Sequence, residues 1–282
     1  MTRAVWASAL LTLASTCGHP PSVATPPKAP SPSPVKPSWA RETLSHLSLP
    51  EKVGQMIGVR AHGFYRHPET AESQELKRQV AALGVGSLCV FESEVESLPR
   101  LLNELQASAK VPLLVSADME RGMSFRIRRG VVPLPYAMAF GADGSEEDAR
   151  FMGEVAAREG RALGVHWALA PVADVNNNPA NPVINIRSFG EHPERVGRLV
   201  AAFVRGARQG GLLTTVKHFP GHGDTAVDSH LELATLKVDG PRLDAVELVP
   251  FRWAIEAGVD SVMLGHIAVP ALDPSGAPAT LS

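Results

Sequence analysis

The sequence has few aromatic side chains, almost no cysteine and little net charge. Aromatic residues make up 5% of its 282 residues, there are two cysteines, and 27 basic side chains stand against 29 acidic ones. This charge balance excludes the basic face of a dedicated nucleic-acid-binding protein. Two cysteines exclude a disulfide scaffold and a cysteine-rich metal site within one chain. After the N-terminus no apolar run approaches membrane-spanning length, which excludes a polytopic membrane protein.

The first 17 residues have the pattern of an export signal. Arg3 precedes an apolar stretch over residues 4–14 that is too short for a spanning helix. The stretch leads into Leu13-Ala14-Ser15-Thr16-Cys17, which resembles a bacterial lipoprotein box, where the cysteine becomes the lipidated first residue. Plain signal cleavage, with Cys17 incidental, is the alternative. We expect an exported protein, periplasmic or anchored to a membrane through a lipid on Cys17.

Residues 18–38 are composed largely of Pro, Ser, Ala and Lys. Such a segment cannot bury a core and acts as an extended spacer. We therefore expect a linker over 18–38 and one folded domain over 39–282.

Short β-branched runs alternate with helical patterns in that domain. Strands are predicted at Met56–Val59, Gly86–Val90, Pro112–Ser116, His166–Ala170, Leu212–Val216 and Asp260–Leu264. Helices are predicted at 72–82, 97–109, 146–163, 193–209 and 241–256. This alternation predicts a parallel α/β sheet, either doubly wound or a (β/α)₈ barrel.

A barrel of the TIM type is favoured. No glycine-rich phosphate loop follows the first strand, which weakens the nucleotide-binding alternative. The unusual polar segments, 117–129, 171–190 and 217–230, all follow strands, and barrel enzymes carry their chemistry in such loops. Only about six βα units can be counted where a closed barrel has eight.

The most informative segment is Lys217-His218-Phe219-Pro220-Gly221-His222-Gly223-Asp224-Thr225-Ala226-Val227-Asp228-Ser229-His230. Two interpretations of its ionisable groups remain open from the residues alone. In one, a catalytic divalent metal such as zinc binds to His218, His222, Asp224, Asp228 and His230. In the other, Asp228 and His230 form a dyad in which the carboxylate supports an imidazole that donates and accepts a proton.

This segment resembles the corresponding motif of glycoside hydrolase family 3, in its bacterial β-N-acetylhexosaminidase branch. The resemblance extends from Ser38 to Ser282. Its further segments are Leu49–Met56, Asp174–Pro179, Asn181–Gly190, Met263–Ile267 and Pro270–Pro274.

The resemblance implies a role for each matching residue. It makes His230 the general acid/base and Asp228 its polarising partner. It also implies a carbohydrate substrate, an N-acetylglucosaminide, with no metal and no cofactor. The side chains that would hold the sugar are Asp118, Arg126, Arg187, Lys217 and His218.

Two departures from the family pattern stand out. Many relatives have glycine where Arg121 stands and arginine where Met123 stands. The family's nucleophile is an aspartate in a Ser-Asp pair, which would lie beyond Ser282, so the nucleophile is not identified and the barrel is expected to be C-terminally incomplete.

The expected function is removal of terminal β-linked N-acetylglucosamine from peptidoglycan or chitin fragments by a retaining mechanism. Two alternatives remain: a catalytically inactive, truncated sugar-binding remnant, and a metal-dependent hydrolase.

Overall fold

The structure is a computed structural model that describes residues 38–282. The predicted export signal, Cys17 and all but the last residue of the predicted linker lie outside the described residues. The chain separates into one unit that ends at His46 and a second unit, Leu47–Ser282. The described part of the first unit is one helix, α1 (Trp39–His46). No helix within residues 38–282 is long and apolar enough to cross a membrane.

The second unit is built on a six-stranded parallel sheet. Its strands are β1 (Gly58–Gly63), β2 (Ser87–Ser93), β3 (Leu114–Ala117), β5 (Trp167–Ala168), β6 (Leu213–Phe219) and β8 (Ser261–Leu264). Two short strands, β7 (Ala234–Thr235) and β9 (Ile267–Ala268), pair in parallel as a separate sheet. The remaining strand, β4 (Glu120–Met123), lies outside both sheets. Each of the six predicted strands therefore has a counterpart in the main sheet.

Helices connect the strands. They are α2 (Leu49–Gln55), α3 (Ala71–Ala81), α4 (Ser97–Ser108), α5 (Ala137–Asp143), α6 (Glu146–Ala162), α7 (Pro193–Gln209), α8 (Gly240–Arg242) and α9 (Val249–Glu256). A short 3₁₀ helix covers Asn185–Arg187, and a π-helical turn covers Leu243–Glu247. The predicted helices over 72–82, 97–109, 146–163 and 193–209 are confirmed to within one residue at each end.

The strand order decides between the two α/β architectures. The main sheet runs β1-β2-β3-β5-β6-β8, in chain order without reversal. A doubly wound sheet reverses direction at a switch point, whereas a barrel adds each strand next to the previous one. The fold is therefore an α/β arrangement of the (β/α)₈ type with six strands. No ladder joins β1 to β8 within the described residues, so these two strands form the edges.

Two long helices pack closely against each other on the sheet. A Cβ atom at Gly153 in α6 would overlap the carbonyl oxygen of Phe203 in α7, and one at Gly206 would overlap the carbonyl oxygen of Arg150. Glycine at these positions lets the two backbones approach. Ser145 caps α6 by accepting the N–H of Asp148 at 3.1 Å, as its place before the helical pattern predicts.

The helix predicted over 241–256 is not continuous. It divides into α8, the π-helical turn and α9, with the N–H of Leu248 bonded to the carbonyl of Leu243. Pro250 has no N–H to donate into a regular helix, so the turn before it cannot keep the α-helical pattern. The prediction of one helix was wrong because it gave Pro250 no weight.

A second, smaller hydrophobic cluster lies apart from the main core. It consists of Ala234, Leu236, Leu243, Ile267 and Val269, with Val227, Val238 and Leu248 packed against it. Because Val227 belongs to the polar segment 217–230, this cluster anchors the far part of that segment.

Candidate active site

The charged side chains predicted to hold a sugar lie at the carboxyl ends of neighbouring strands. Asp118 directly follows β3, and Lys217 and His218 lie in the last part of β6. Strand β5 lies between β3 and β6, and its chain continues to Val172, which pairs in parallel with Lys217. Because the strands are parallel, these side chains start from the same end of the sheet, where barrel enzymes carry their active sites.

The buried side chain of Lys217 contacts two carboxylates at this end of the sheet. Its side chain is 2% exposed, and its Nζ lies 2.8 Å from Asp118 Oδ1 and 2.8 Å from Glu120 Oε1. Burial by itself would raise the pKa of Asp118, but Lys217 and Arg126 outweigh it and lower that pKa. Asp118 is therefore ionised near neutral pH and can accept hydrogen bonds from hydroxyl groups.

Arg187 binds Glu120 with both arms of its guanidinium. Its Nε lies 2.8 Å from Oε2 and its Nη2 lies 2.8 Å from Oε1. The bonds from Arg187 and the charge of Lys217 overcome the opposing effect of burial and lower the pKa of Glu120 to about 2. Arg187 lies in the 3₁₀ helix, where its Nη1 also donates to the carbonyl of Val183 at 3.1 Å. The guanidinium plane is thus fixed from two sides, which suits it to recognise paired hydroxyls.

Asp174 orients the next residue of the site, His218. Its fully buried carboxylate contacts the ring Nδ1 of His218 at 2.7 Å and accepts the backbone N–H groups of His218 and His222 at 3.2 and 2.6 Å. Burial would raise the pKa of Asp174, and these partners outweigh it and lower the pKa. With a proton on Nδ1 facing Asp174, His218 turns its Nε2 toward Arg187 Nη2, 3.4 Å away.

Arg126 covers the other side of Asp118. Its Nη2 pairs with Asp118 Oδ2, and its guanidinium carbon lies 4.4 Å from the ring centre of Phe91 and 5.0 Å from that of Phe125. Its Nε is buried without a hydrogen-bond partner. The site thus contains three basic residues, Arg126, Arg187 and Lys217, and three carboxylates, those of Asp118, Glu120 and Asp174. A neutral ligand such as a sugar suits a site whose charges balance in this way.

The segment after Lys217 turns sharply over the site. Gly221 has φ +137°, a conformation that side chains other than glycine rarely adopt. A Cβ at Gly223 would overlap the carbonyl oxygen of Val175. The amide of Asn181 fixes the same turn by donating to the carbonyls of His222 and Gly223 at 2.7 and 3.1 Å.

Asp228 and His230 form the predicted dyad. His230 Nδ1 lies 2.7 Å from Asp228 Oδ1, which also accepts the backbone N–H of His230 at 2.9 Å. These two contacts lower the pKa of Asp228. The imidazole is 75% exposed and the carboxylate 34%, so the ring Nε2 is open to a substrate. Within residues 38–282 no hydrogen bond links either residue to the cluster around Lys217.

The candidate metal ligands do not assemble into one site. His218 contacts Asp174, His222 contacts Thr225 and Ser229, and Asp224 pairs with Arg242. In the described part of the chain, no group of three or more His, Cys, Asp or Glu side chains has the spacing to hold a metal ion. The geometry favours the dyad over the metal interpretation.

Comparison with known families identifies the domain. Residues 48–282 match the glycosyl hydrolase family 3 N-terminal domain. The chain belongs to glycosyl hydrolase family 3.

Curated relatives and solved structures of family 3 are similar over most of the chain. A β-N-acetylglucosaminidase/β-glucosidase from Cellulomonas fimi is 34% identical over 234 residues, covering 83% of the chain and 40% of that protein. The structure of a family 3 β-N-acetylglucosaminidase from Paenibacillus sp. str. FPU-7 superposes with a TM-score of 0.78 at 42% identity, covering 84% of the chain and 45% of that structure. A β-glucoside phosphorylase bound to 2FGlc gives a TM-score of 0.80 at 30% identity, covering 86% and 44%. The chain spans less than half the length of each.

Two residues of this cluster were missed as candidates from the sequence. Glu120 and Asp174 each hold predicted residues in place, yet neither was assigned a role. The available signal was an acidic residue set among small or apolar residues just past a strand, as in Ala173-Asp174-Val175. Since acidic residues are almost never fully buried without a partner, that setting points to a buried ion pair.

Arg121 and Met123, which depart from the family pattern, both lie in β4. Met123 is fully buried in the main core, and Arg121 places its guanidinium carbon 4.7 Å from the ring centre of Tyr136.

Asp260 is not positioned to act as the nucleophile. It precedes β8, and its carboxylate accepts the N–H of Thr214 at 2.9 Å. Because β8 is parallel to β6, Asp260 lies at the end of the sheet opposite Lys217 and cannot serve as the nucleophile there.

Proposed function

We propose that this chain carries the acid/base dyad and the sugar-holding residues of a glycoside hydrolase that removes terminal β-linked N-acetylglucosamine from peptidoglycan or chitin fragments. The observation that carries the proposal is the 2.7 Å contact between Asp228 and His230, in the loop that follows the buried Lys217. Relatives bearing β-N-acetylglucosaminidase names support the substrate class.

Five side chains would hold the non-reducing sugar. Charged hydrogen-bond partners on both sides of a hydroxyl give strong, directional recognition. The site offers one carboxylate as an acceptor, next to ammonium, guanidinium and imidazole groups. Hydrogen bonds to buried partners fix the orientation of these groups. These five are Asp118, Arg126, Arg187, Lys217 and His218.

The dyad would move the proton in both halves of the reaction. The Nε2–H of His230 donates to the glycosidic oxygen as the leaving group departs, and the neutral ring then takes a proton from the incoming water. Asp228 holds the Nδ1–H and stays ionised because its pKa is lowered. The same bond fixes the orientation of the ring and of its Nε2.

A retaining mechanism also needs a carboxylate nucleophile that forms a glycosyl-enzyme intermediate. The family resemblance puts that aspartate beyond Ser282. The test therefore uses the complete product of the gene, whatever its length.

The acceptor can be water or phosphate. A neutral imidazole base does not repel an anion as a carboxylate base would, and one similar structure is that of a β-glucoside phosphorylase. Hydrolysis is the primary proposal. Release of N-acetylglucosamine 1-phosphate in phosphate buffer would instead identify phosphorolysis as the reaction.

The function is tested with an aryl N-acetyl-β-glucosaminide as substrate. We expect His230→Ala to lower turnover about 100-fold or more, the usual contribution of a positioned general acid/base. The matched control is His67→Ala, which removes an exposed loop histidine and should leave the rate unchanged. Unchanged activity in His230→Ala would overturn the proposal. Binding of N-acetylglucosamine by calorimetry without any turnover would identify the non-catalytic sugar-binding alternative.

We further propose that the protein is exported and anchored to a membrane through a lipid on Cys17. The support is the short apolar stretch behind Arg3 and the cysteine that follows it. Cys17→Ser should move the protein from the membrane fraction to the soluble fraction, while Cys89→Ser, the matched control, should not. Identical fractionation of Cys17→Ser and the wild type would rule the anchor out.

A further inference from the structure

We infer that His222 is a positioning residue that holds the Asp228–His230 dyad in place through the hydroxyl of Ser229. The inference rests on the proposed role of the dyad. It concerns a histidine that touches neither member of the dyad and lies six residues before Asp228 in the sequence.

The backbone of His222 is held in place by two hydrogen bonds. The residue is 2% exposed, its N–H donates to Asp174 at 2.6 Å, and its carbonyl accepts the amide of Asn181 at 2.7 Å. Both partners belong to the segment after β5. The imidazole therefore projects into the loop from a point tied to a different strand.

The imidazole bridges two hydroxyl groups of the loop. Its Nδ1 lies 2.7 Å from Thr225 Oγ1, and its Nε2 lies 2.7 Å from Ser229 Oγ. Thr225 donates its own proton to the carbonyl of His222 at 3.1 Å, so it can only accept from the ring. Nδ1 is then the protonated nitrogen, which leaves the Nε2 lone pair to accept the hydroxyl proton of Ser229.

The electrostatic setting favours this neutral ring. Burial lowers the pKa of His222, and the nearby charge of Asp174 opposes that effect without cancelling it. A neutral imidazole has one donor and one acceptor, which is what the two hydroxyls require.

The segment that carries the dyad makes few other contacts with the rest of the described chain. Residues 226–233 make one hydrogen bond to the rest of the described chain, and it is the bond between Ser229 and His222. Their remaining hydrogen bonds are internal, since the N–H groups of His230, Leu231 and Glu232 all donate to Asp228. The other tie is apolar, through Val227 in the second hydrophobic cluster.

This arrangement assigns His222 a geometric role. Ser229 lies between Asp228 and His230, so fixing its side chain restrains both neighbours at once. Losing the restraint should lower the fraction of time that His230 spends in reach of the glycosidic oxygen, while the sugar cluster around Lys217 stays intact. Catalysis is sensitive to such displacements even when binding is not.

The first test needs no activity and follows amide hydrogen exchange. In Ser229→Ala we expect the amides of His230, Leu231 and Glu232 to exchange about five- to tenfold faster, the equivalent of one neutral hydrogen bond. The amides of β6 should not change. Ser97→Ala, which removes an exposed hydroxyl bonded to Glu94, serves as the matched control. Wild-type exchange rates in Ser229→Ala would overturn the inference whatever the activity.

The second test measures turnover of the aryl N-acetyl-β-glucosaminide by the complete gene product. Ser229→Ala should lower kcat about five- to tenfold with KM within about twofold, and Ser229→Thr, which keeps the hydroxyl, should restore kcat. His222→Gln presents an amide near the position of Nε2 and should keep more activity than His222→Leu. Faster exchange with an unchanged kcat in Ser229→Ala would overturn the inference.

The same series separates this inference from the proposed function. Full activity in His230→Ala would overturn the function, because the dyad would then not be catalytic. A lowered kcat in Ser229→Ala together with a far lower kcat in His230→Ala supports both the inference and the proposed function. A tenfold rise in KM with kcat unchanged in Ser229→Ala would overturn the inference alone, because the hydroxyl would then act on substrate binding.

Discussion

Lys217 and Asp118 are 99 residues apart in the chain, yet Nζ of the lysine lies 2.8 Å from Oδ1 of the aspartate. The same ammonium contacts Glu120 at 2.8 Å. One buried cation therefore connects the end of β6 with the loop after β3. The positions of Asp118 and Glu120 are thereby tied to the end of β6.

Removing that cation should destabilise the protein strongly. In Lys217→Met, Asp118 and Glu120 lose the partner they share in the interior, and breaking a buried pair in this way costs about 3–5 kcal/mol. The measurement is urea unfolding of the purified variant. Lys110→Met removes an exposed partner of Glu51 and should destabilise the protein far less, because solvent screens such a pair. Similar losses in the two variants would contradict the account.

Glu120 should contribute to stability in a pH-dependent way. Its pKa is about 2 in the folded protein because Arg187 and Lys217 outweigh the effect of its burial. Since the unfolded value is higher, near 4.5, the ionised group stabilises the fold above that pH. The contribution is lost as the pH falls from 4.5 toward 2.

Unfolding free energies of Glu120→Gln should therefore change less between about pH 5 and pH 3 than those of the wild type. Asp118 and Asp174 also have lowered pKa values, so some acid dependence should remain. Glu104→Gln, which removes an exposed partner of Lys77, should keep the wild-type slope. A wild-type slope in Glu120→Gln would show that this carboxylate is not held as described.

Asp174 should control sugar affinity through His218. Asp174→Asn keeps the size of the side chain but turns an amide toward groups that donate hydrogen bonds. We expect N-acetylglucosamine to bind about tenfold more weakly in calorimetric titration, a loss of roughly one hydrogen bond. Asp143→Asn, at an exposed helix end, is the control. Equal affinity in Asp174→Asn would separate the ring of His218 from sugar binding.

The open edges of the sheet should make the 282-residue chain self-associate. Strands β1 and β8 lie at the two ends of the strand order, and Val262 in β8 is 42% exposed. Unpaired strand edges are templates for association. Light scattering should show concentration-dependent growth that Val262→Lys reduces and Leu272→Lys does not. A monodisperse monomer that melts cooperatively would refute this prediction.

Much of the fold could be predicted because its signals are local. Helices α6 and α7 show a long amphipathic period, and their ends carry capping residues such as Ser145, so their bounds match within a residue. Strands β7 and β9 have two residues each. No alternating pattern can be read in so short a strand, and only the contact between the two distant segments creates them.

The candidate-site residues that belong to one sequence motif could be predicted. Those whose roles depend on buried contacts between distant segments could not. The loop 217–230 gathers its ionisable groups within a short stretch, so Asp228 and His230 could be singled out. The roles of Glu120 and Asp174 depend on which side chains from other strands lie beside them, and one sequence does not contain that information. His222 appeared as a metal candidate for the same reason, because its contacts with Thr225 and Ser229 exist only in the folded loop.

The central claim is that His230 transfers the proton to the leaving group, and leaving-group dependence tests it most directly. The measurement compares kcat/KM of wild type and His230→Ala, in the complete gene product, on N-acetyl-β-glucosaminides with a good and a poor leaving group. A leaving group that departs without protonation needs no acid. We predict that the loss in kcat/KM is at least tenfold larger on a chitobiose-type disaccharide than on the activated aryl glycoside, whose turnover number falls mainly because the incoming water has lost its base. Equal losses on both substrates would contradict the assignment of His230 as the general acid.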